Sequence, residues 1–516
     1  MSDIKILWAD DEIDLLKSQI LFLTDKGYAV TEVTNGTDAV EKVREENFDV
    51  VFLDENMPGL SGLETLNQIK AEKPSLPIVM ITKSEEEDIM EEAIGRQITD
   101  YLIKPVKPNQ VLLTLKKIID NKRLVQEKTT SDYQQDFQKI FMAFQQDMDA
   151  KEWSDIYKKI VNWEIKLGES QSDQMKDVLD MQKTEANREF SKFIQKNYLD
   201  WLNETQHAPV MSHNLMSRKV LPQLRDDVPT IFLLIDNLRY DQWKVIEPYL
   251  SRLYRVQEED LFYSILPTST QYSRNAIFAG MMPLEIQKKF PKYWVNDEDE
   301  GSKNKFEKEL LTDLIVRHKL DYKFDYVKIA NTQDGDTLLD NAYNYLNNDL
   351  TVIVYNFVDM LSHARTDMEV LRELARDEAA YRSITESWFE HSPLYGTLKR
   401  LAERPHQLII ATDHGTMRVR TPSKVIGDRN TTTNLRYKTG KNLNYQAKEV
   451  FEVVKPEEAF LPRQHVSSKY IFALEDEYFV YPNNYNYYVN FFKDTFQHGG
   501  VSLEEMIIPY VRLTPR

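Results

Sequence analysis

Asp236, Asp359, His363, Asp413, His414 and His498 are side-chain types that hold transition metals, and a hydroxyl, Thr270, lies among them in the chain. Asp359 and His363 stand four apart, and Asp413 and His414 are adjacent, where one side chain can serve each of two nearby ions. His498 opens a His-Gly-Gly run whose glycines let backbone and ligand approach closely. Three Asp, three His and one Thr suffice for two ions with an open position each. Carboxylate and neutral imidazole suit zinc, with manganese as the alternative. Taken singly, each His reads more simply as a strand cap or a satisfied core residue. Together with a hydroxyl they read as a site, because two metals about 4 Å apart can clamp both oxygens of an in-line phosphoryl displacement.

The hydroxyl belongs to Leu266–Gly280, which starts in turn chemistry with Pro267 and runs into a short helical pattern closed by Gly280. A hydroxyl at a helix N-terminus has backbone N–H groups and a positive dipole end beside it, which suits a phosphate. Threonine is a poor nucleophile until a base or a metal activates it. Arg274, four residues on, either contacts a non-bridging phosphate oxygen or is a helix-surface charge.

A second constellation lies near the start of the chain. Asp10 and Asp11 follow one apolar run, Asp54 ends another, Thr82 ends a third and Lys104 follows a fourth. Three converging carboxylates repel one another unless a hard cation sits among them, and magnesium prefers such oxygen ligands. A lysine and a hydroxyl at the same rim can hold the oxygens of a phosphoryl group arriving on Asp54.

These residues need elements to position them. Ile4–Ala9, Asp49–Leu53, Pro77–Ile81 and Tyr101–Ile103 read as buried parallel strands alternating with helical segments such as Glu12–Lys26 and Thr37–Glu46. That alternation predicts an open sheet with helices on both faces and the ligand site at the strands' carboxyl ends. Thr230–Ile235, Thr351–Val358 and Gln407–Thr412 are apolar runs with Asp236, Asp359 and Asp413 at or just past their ends, so a second α/β sheet is expected. The charged stretch Glu285–Leu320 is expected as a partly helical insertion.

Between the two sheets, residues 123–227 are rich in helix formers. Phe137, Ile140, Phe141 and Phe144 share one face, as do Trp153, Ile156, Tyr157, Ile160 and Trp163. The pattern continues through Met175, Val178 and Leu179, then Phe190, Phe193, Ile194, Trp201 and Leu202, and predicts a helical bundle with an aromatic core. His207 and His213 read as surface residues beyond it. The domain boundaries are therefore 1–122, 123–227 and 228–516. The fold class is α/β multidomain: a doubly wound parallel sheet, a central helical bundle and a larger α/β domain.

The 516 residues contain no cysteine, which removes disulfides, Cys-zinc sites and thiol nucleophiles. Met-Ser-Asp-Ile runs straight into a strand without a signal-peptide pattern, and no apolar run reaches membrane-spanning length, so a cytoplasmic protein without membrane insertion is expected. A net charge of −18 argues against a broad nucleic-acid-binding face. One stretch opposes that balance. From Thr416 to Lys448, eight basic residues (Arg418, Arg420, Lys424, Arg429, Arg436, Lys438, Lys441, Lys448) accompany one acid, Asp428. It directly follows Asp413-His414, so it is expected at the mouth of the site, with Tyr437 and Tyr445 placed to stack on bases. Arg436, Lys438 and Lys441 would then hold an extended anion such as an oligonucleotide; the plainer reading is a solvated loop balancing acidic neighbours.

Residues 1–122 resemble the receiver domain of two-component response regulators. The resemblance implies Asp54 as phosphoacceptor, Asp10 and Asp11 as the acidic pair, Asn56 lending its backbone carbonyl to magnesium, and Thr82, Tyr101 and Lys104 as switch residues. The Thr-Asp-His-Gly, Asp-x-x-x-His, His-Gly-Gly and Pro-Thr-x-Thr motifs of 228–516 resemble the PglZ-type branch of the alkaline phosphatase superfamily. Carried over, Thr270 is the nucleophile, with Thr268 as rival. Asp236, Asp413 and His414 would hold one metal, and Asp359, His363 and His498 the second. Receiver, helical linker and PglZ-like domain in this order resemble PorX-type response regulators of type IX secretion signalling. That implies a sensor histidine kinase, secretion-system or sigma-factor partners, nucleotide or oligonucleotide substrates, and a homodimer on phosphorylation, first looked for on the receiver face between Lys83 and Asp120. The expected output is a zinc phosphodiesterase or phosphatase. The alternative is a non-catalytic metal-bound scaffold whose phosphorylated receiver recruits proteins.

Overall fold

The computed structural model describes residues 4–83, 98–169, 173–203, 208–297, 299, 301–361, 377–427, 431–463 and 465–516. They divide into two compact units, Met1–Asp132 and Tyr133–Arg516. His207 and His363 lie outside the described residues, as do Asp428 and Arg429.

In the first unit, strands β1 (Ile4–Ala9), β2 (Tyr28–Val33), β3 (Val50–Asp54), β4 (Ile78–Thr82) and β5 (Asp100–Ile103) form one parallel sheet in the order β2-β1-β3-β4-β5. Successive side chains of a strand point to opposite faces. Leu7, Ala9, Val51 and Leu53 accordingly meet the helices Gly36–Glu45 and Gly62–Glu72 on one side. Ile6, Trp8, Val50 and Phe52 meet Lys17–Asp25 and the start of Pro108–Ala143 on the other. Both faces are covered, which is why these strands read as unbroken apolar runs. Asn35 and Ser61 cap their helices, Ser61 in a capping box with Glu64.

The second unit is built on a six-stranded sheet of β6 (Thr230–Ile235), β7 (Tyr254–Tyr263), β8 (Phe324–Ile329), β9 (Leu350–Tyr355), β10 (Gln407–Ala411) and a last strand, Ile507–Pro515. Between β10 and that last strand come β11 (Met417–Arg418), β12 (Thr421–Lys424), β13 (Tyr437–Gly440), β14 (Val450–Val453), β15 (Lys469–Ala473), β16 (Glu477–Val480) and β17 (Phe496–Gln497), so Ile507–Pro515 is β18. The order is β7-β18-β10-β6-β9-β8. Strands β10, β6, β9 and β8 run parallel, and β18 pairs antiparallel with both β10 and β7. Strands β11 to β17 form three small sheets beside the large one. The stretch expected as an insertion carries the helices Pro283–Lys289 and Glu307–Arg317.

The middle of the chain is helical, with Ala150–Glu169 and Asp173–Asn203 as its long described helices after Pro108–Ala143. Its aromatic stripe is core, yet that core is not its own. Trp153, Tyr157, Phe190, Ile194 and Trp201 belong to the same buried cluster as β6, β9 and β10. Trp201 meets Tyr263 of β7 edge-on at 5.4 Å. Phe141 departs from the expected face: it is 47% exposed and stacks on Phe137. Among the described residues no helix is long and apolar enough to cross a membrane.

Candidate active site

Parallel strands bring the residues just past their carboxyl ends to one edge of the sheet. Asp236 follows β6, Asp359 lies four residues past β9, and Asp413 and His414 lie two and three residues past β10. Thr270 is the first residue of the helix Thr270–Ala279, behind Ser269 in extended conformation, and Gly280 at φ 57° ends that helix in the left-handed region. Ligand atoms of Asp236, Asp413 and His414 all lie within 4.8 Å of one another, and all three residues are buried. The Thr270 hydroxyl sits 3.1 Å from His414 Nε2 and 3.5 Å from Asp236 Oδ1. His498 stacks on His414 at 4.3 Å, with Nε2 3.9 Å from Asp359 Oδ1. The structure thus brings together every described member of the expected set.

Both imidazoles have a fixed tautomer. His414 Nδ1 is 3.1 Å from the Gly415 carbonyl and His498 Nδ1 is 3.1 Å from the Thr268 carbonyl. A carbonyl only accepts, so each Nδ1 carries the hydrogen and each Nε2 offers its lone pair. Burial lowers the pKa of His414, which favours the neutral ring. Asp413 is pushed well above the usual carboxylate range by burial and by Asp236 beside it. Its Oδ2 is buried without a hydrogen-bond partner. Two carboxylates and a neutral imidazole converging in a buried site fit a divalent cation, and Asp359 with His498 offers the start of a second set.

Around these ligands lies a layer that the sequence pattern did not reveal. Arg274 is neither a surface charge nor open to a phosphate. Its side chain is 2% exposed and donates from Nη1 to Asp236 Oδ2 at 2.6 Å and from Nε to Glu307 Oε1 at 2.5 Å. Tyr326 and Lys328 donate to the other oxygen of Glu307. Asn237, in the left-handed region at φ 64°, donates its backbone N–H to Asp413 and its side-chain amide to Asp359, joining the two ligand groups. Glu307 was hidden in a Lys- and Glu-rich stretch that reads as solvated surface. Asn237 carried a faint signal as the residue after a strand-end Asp.

The rival hydroxyl, Thr268, has a structural place. It is fully buried, donates to the Gly500 carbonyl at 3.0 Å and accepts from Gly499 N–H at 2.9 Å. Gly499 sits at φ 125°, and a Cβ there would lie 2.6 Å from the Tyr437 ring, so this turn requires glycine. His213 is not a plain surface residue: Nδ1 is buried and burial pushes its pKa down to about 4.

The basic stretch also differs from expectation. Arg436 is fully buried, paired with Glu505 at 2.5 Å and bonded to backbone carbonyls. Lys438 is 1% exposed, donates to the Thr432 carbonyl at 2.7 Å and lies over the Tyr481 ring. Lys438 lies in β13, which pairs with β15 in the three-stranded sheet, and Arg436 stands just before that strand with its carbonyl accepting from Ala473 N–H at 2.8 Å. Tyr437 is buried as well, and Tyr445 bonds to Glu452. Arg420 and Lys424 are exposed and Lys441 is half-buried.

In the first unit Asp10, Asp11 and Asp54 gather ligand oxygens within 4.8 Å at the carboxyl ends of β1 and β3. Lys104 Nζ bridges Asp54 Oδ1 at 2.8 Å and Asp10 Oδ2 at 2.9 Å. Burial would lower the Lys104 pKa, but the two carboxylates outweigh it and raise it. Burial raises that of Asp54, and Asp10 adds to this against the pull of Lys104. Thr82 donates to Glu55 at 2.5 Å, Tyr101 is 41% exposed and Asn56 is exposed. Of the receiver face between Lys83 and Asp120, residues 84–97 lie outside the described residues.

A doubly wound receiver with an acidic pocket, followed by a larger α/β unit with an Asp/His/Thr site, defines a response regulator with an alkaline-phosphatase-like output domain. Residues 6–116 match the model of the response regulator receiver domain, 123–202 that of the PorX response regulator linker domain, and 215–513 that of the BREX system PglZ alkaline phosphatase-like domain. The chain belongs to the PglZ alkaline phosphatase-like family, in the PorX-type arrangement of receiver, linker and PglZ domain.

Curated relatives match at the receiver. The transcriptional regulatory protein ResD of Bacillus subtilis is 36% identical over 118 residues, 23% of this chain and 49% of ResD. ZraR of Klebsiella oxytoca is 37% identical over 127 residues, 25% of this chain and 29% of ZraR. The chain therefore spans about half or less of these relatives' length. Among solved structures, the chemotaxis protein CheY4 of Vibrio cholerae is 29% identical, covering 23% of this chain and 99% of its own, with a TM-score of 0.22.

Proposed function

We propose that this chain is a response regulator, phosphorylated on Asp54, whose output is a two-metal phosphoesterase with Thr270 as nucleophile. The observation that carries the reading is the Thr270 hydroxyl at a helix N-terminus, within 3.5 Å of both Asp236 and His414. Asp236, Asp413 and His414 would hold one zinc or manganese ion, and Asp359, His498 and His363 the other. Bound there, the ions supply Lewis acidity that lowers the pKa of a coordinated hydroxyl and neutralises charge on the phosphoryl oxygens.

The protein's own contribution is placement. Thr270 Oγ1 gives up its proton and attacks phosphorus, forming the new P–O bond as the bond to the leaving oxygen breaks and that oxygen takes up a proton. Water then attacks the phosphothreonine, breaking its Oγ1–P bond, so that the phosphate leaves and the threonine hydroxyl is restored. The helix N-terminus behind Thr270 directs backbone N–H groups towards developing negative charge. Arg274 and Asn237 keep Asp236, Asp413 and Asp359 in fixed orientations. Nucleotide or oligonucleotide esters are the proposed substrates, with the exposed Arg420, Lys424 and Lys448 and the half-buried Lys441 among the cations left near the surface.

In the receiver, Asp10, Asp11, Asp54 and the Asn56 carbonyl would hold magnesium, and Lys104 and Thr82 would take the phosphoryl oxygens, with Tyr101 following the switch. A sensor histidine kinase as phosphodonor, a cytoplasmic location, secretion-system or sigma-factor partners and a place in type IX secretion signalling complete the proposal. They are supported by the PorX-type domain order.

The test is metal content beside hydrolysis of bis-p-nitrophenyl phosphate, for wild type and Thr270→Ala. The expected result is zinc retained in both, with turnover in the variant lower by about 10³-fold or more. Comparable activity in the two proteins would overturn the mechanism.

A further inference from the structure

The helix Asp173–Asn203 belongs to the linker by sequence, yet two of its side chains reach the backbone that forms the active site. Tyr198 is fully buried, and its hydroxyl accepts the backbone N–H of Leu266 at 2.8 Å. Leu266 opens the loop that leads through Thr268 to Thr270. Asn187 is 2% exposed. Its Oδ1 accepts the backbone N–H of Leu503 at 2.8 Å, and its Nδ2 donates to Glu504 Oε2 at 3.1 Å. Eleven residues separate the two, three turns plus about 20°, so they project from one side of the helix roughly 16 Å apart along its axis.

The two backbone segments they hold meet at a single joint. Glu505, next to Glu504, accepts from Gly500 N–H at 2.8 Å, and the same Oε1 lies 3.4 Å from the Thr268 hydroxyl that donates to the Gly500 carbonyl. Thr268 in turn accepts from Gly499 N–H, and its carbonyl takes the Nδ1 hydrogen of His498. The nucleophile loop and the turn carrying His498 are thus bonded to each other, and one helix grips both from outside. Hydrogen bonds in such a buried network hold their partners in register, and an unmade one leaves a buried donor exposed to no acceptor.

We propose that this helix is a positioning element of the active site, with Tyr198 and Asn187 as positioning residues that set Thr270 against His498. The proposal rests on Thr270 being the nucleophile. A displacement of about 1 Å between reacting groups costs up to about 100-fold in rate, so a small shift of the helix would change turnover without removing any ligand.

The test uses the full chain with Tyr198→Phe, which keeps the ring and loses only the hydroxyl, and Asn187→Ala. Ile194→Val, a core change on the same helix, is the structural control. In the first two variants kcat for bis-p-nitrophenyl phosphate should fall about 10- to 100-fold with KM and zinc content near wild type. Ile194→Val should lower the melting temperature and leave kcat unchanged. Hydrogen–deuterium exchange gives a readout independent of turnover: Tyr198→Phe should speed exchange in peptides covering both 264–270 and 498–505, and Ile194→Val in neither selectively. Exchange confined to 264–270, or an unchanged kcat in an active enzyme, would overturn the proposal. An inactive wild type with coupled exchange at both segments would instead sink the phosphoesterase reading and leave the clamp standing.

Discussion

Arg274 Nη1 and Asp236 Oδ2 meet at 2.6 Å with both side chains almost wholly buried, so a candidate metal ligand is gripped by a cation that Glu307 grips in turn. Burial opposes the charge on Arg274, and Glu307 and Asp236 outweigh it, raising the pKa further. The guanidinium fixes one carboxylate oxygen and leaves the other turned towards Thr270 and His414.

Arg274→Met is expected to weaken zinc binding about 10- to 100-fold, as loss of a ligand's outer partner typically does. It should also destabilise the larger unit by about 1.5–3 kcal/mol, because Glu307 Oε1 loses a buried charge-assisted bond while Lys328 and Tyr326 still hold Oε2. Arg274→Lys should not restore the affinity, since an ammonium cannot reproduce the two-sided guanidinium contact. Competition with a chromophoric chelator measures the first effect and thermal unfolding the second; wild-type zinc affinity in Arg274→Met would count against the arrangement.

Lys438 gives a pH prediction. Burial pushes its pKa down from 10.5 to about 7. Between those values the unfolded chain holds the proton and the folded chain does not, so this residue makes stability rise with pH from about 7 to 10.5. Below about 7 the cost of the buried charge is fully present. Lys438→Met should therefore stabilise the fold, by on the order of a few kcal/mol at or below neutral pH, with the gain fading towards pH 10.5. Melting temperatures across that range check it, and a gain that stays constant up to pH 10.5 would count against it.

The acidic pocket of the receiver gives a third expectation. With magnesium and beryllofluoride, wild-type protein should show a concentration-dependent increase in sedimenting mass. Asp54→Ala, which loses the oxygen that Lys104 holds at 2.8 Å, should not. An identical increase in the variant would remove Asp54 from control of assembly.

Much of this architecture was legible because apolar runs and strand-end carboxylates are local patterns. Thr230–Ile235 is a strand at the bounds the sequence implied, and Asp10, Asp54, Asp236 and Asp413 stand where strand ends place them. The orientation of long polar side chains was not legible. Arg274, Arg436 and Lys438 look alike in sequence to any solvated cation, and only tertiary pairing with Glu307, Glu505 or a carbonyl turns them inward. The joint at Thr268 was equally hidden, since it ties residues more than 200 positions apart.

The core shared by the middle helices and the large sheet bears on how such chains can be recombined. A PglZ-like domain cut at residue 228 would carry Tyr263 without Trp201 and Phe190 against it, and Leu266 without the Tyr198 hydroxyl. The transplantable module is the longer piece that begins near Tyr133. A cut behind that point would strip away part of the packing that holds the strand and loop ahead of Thr270.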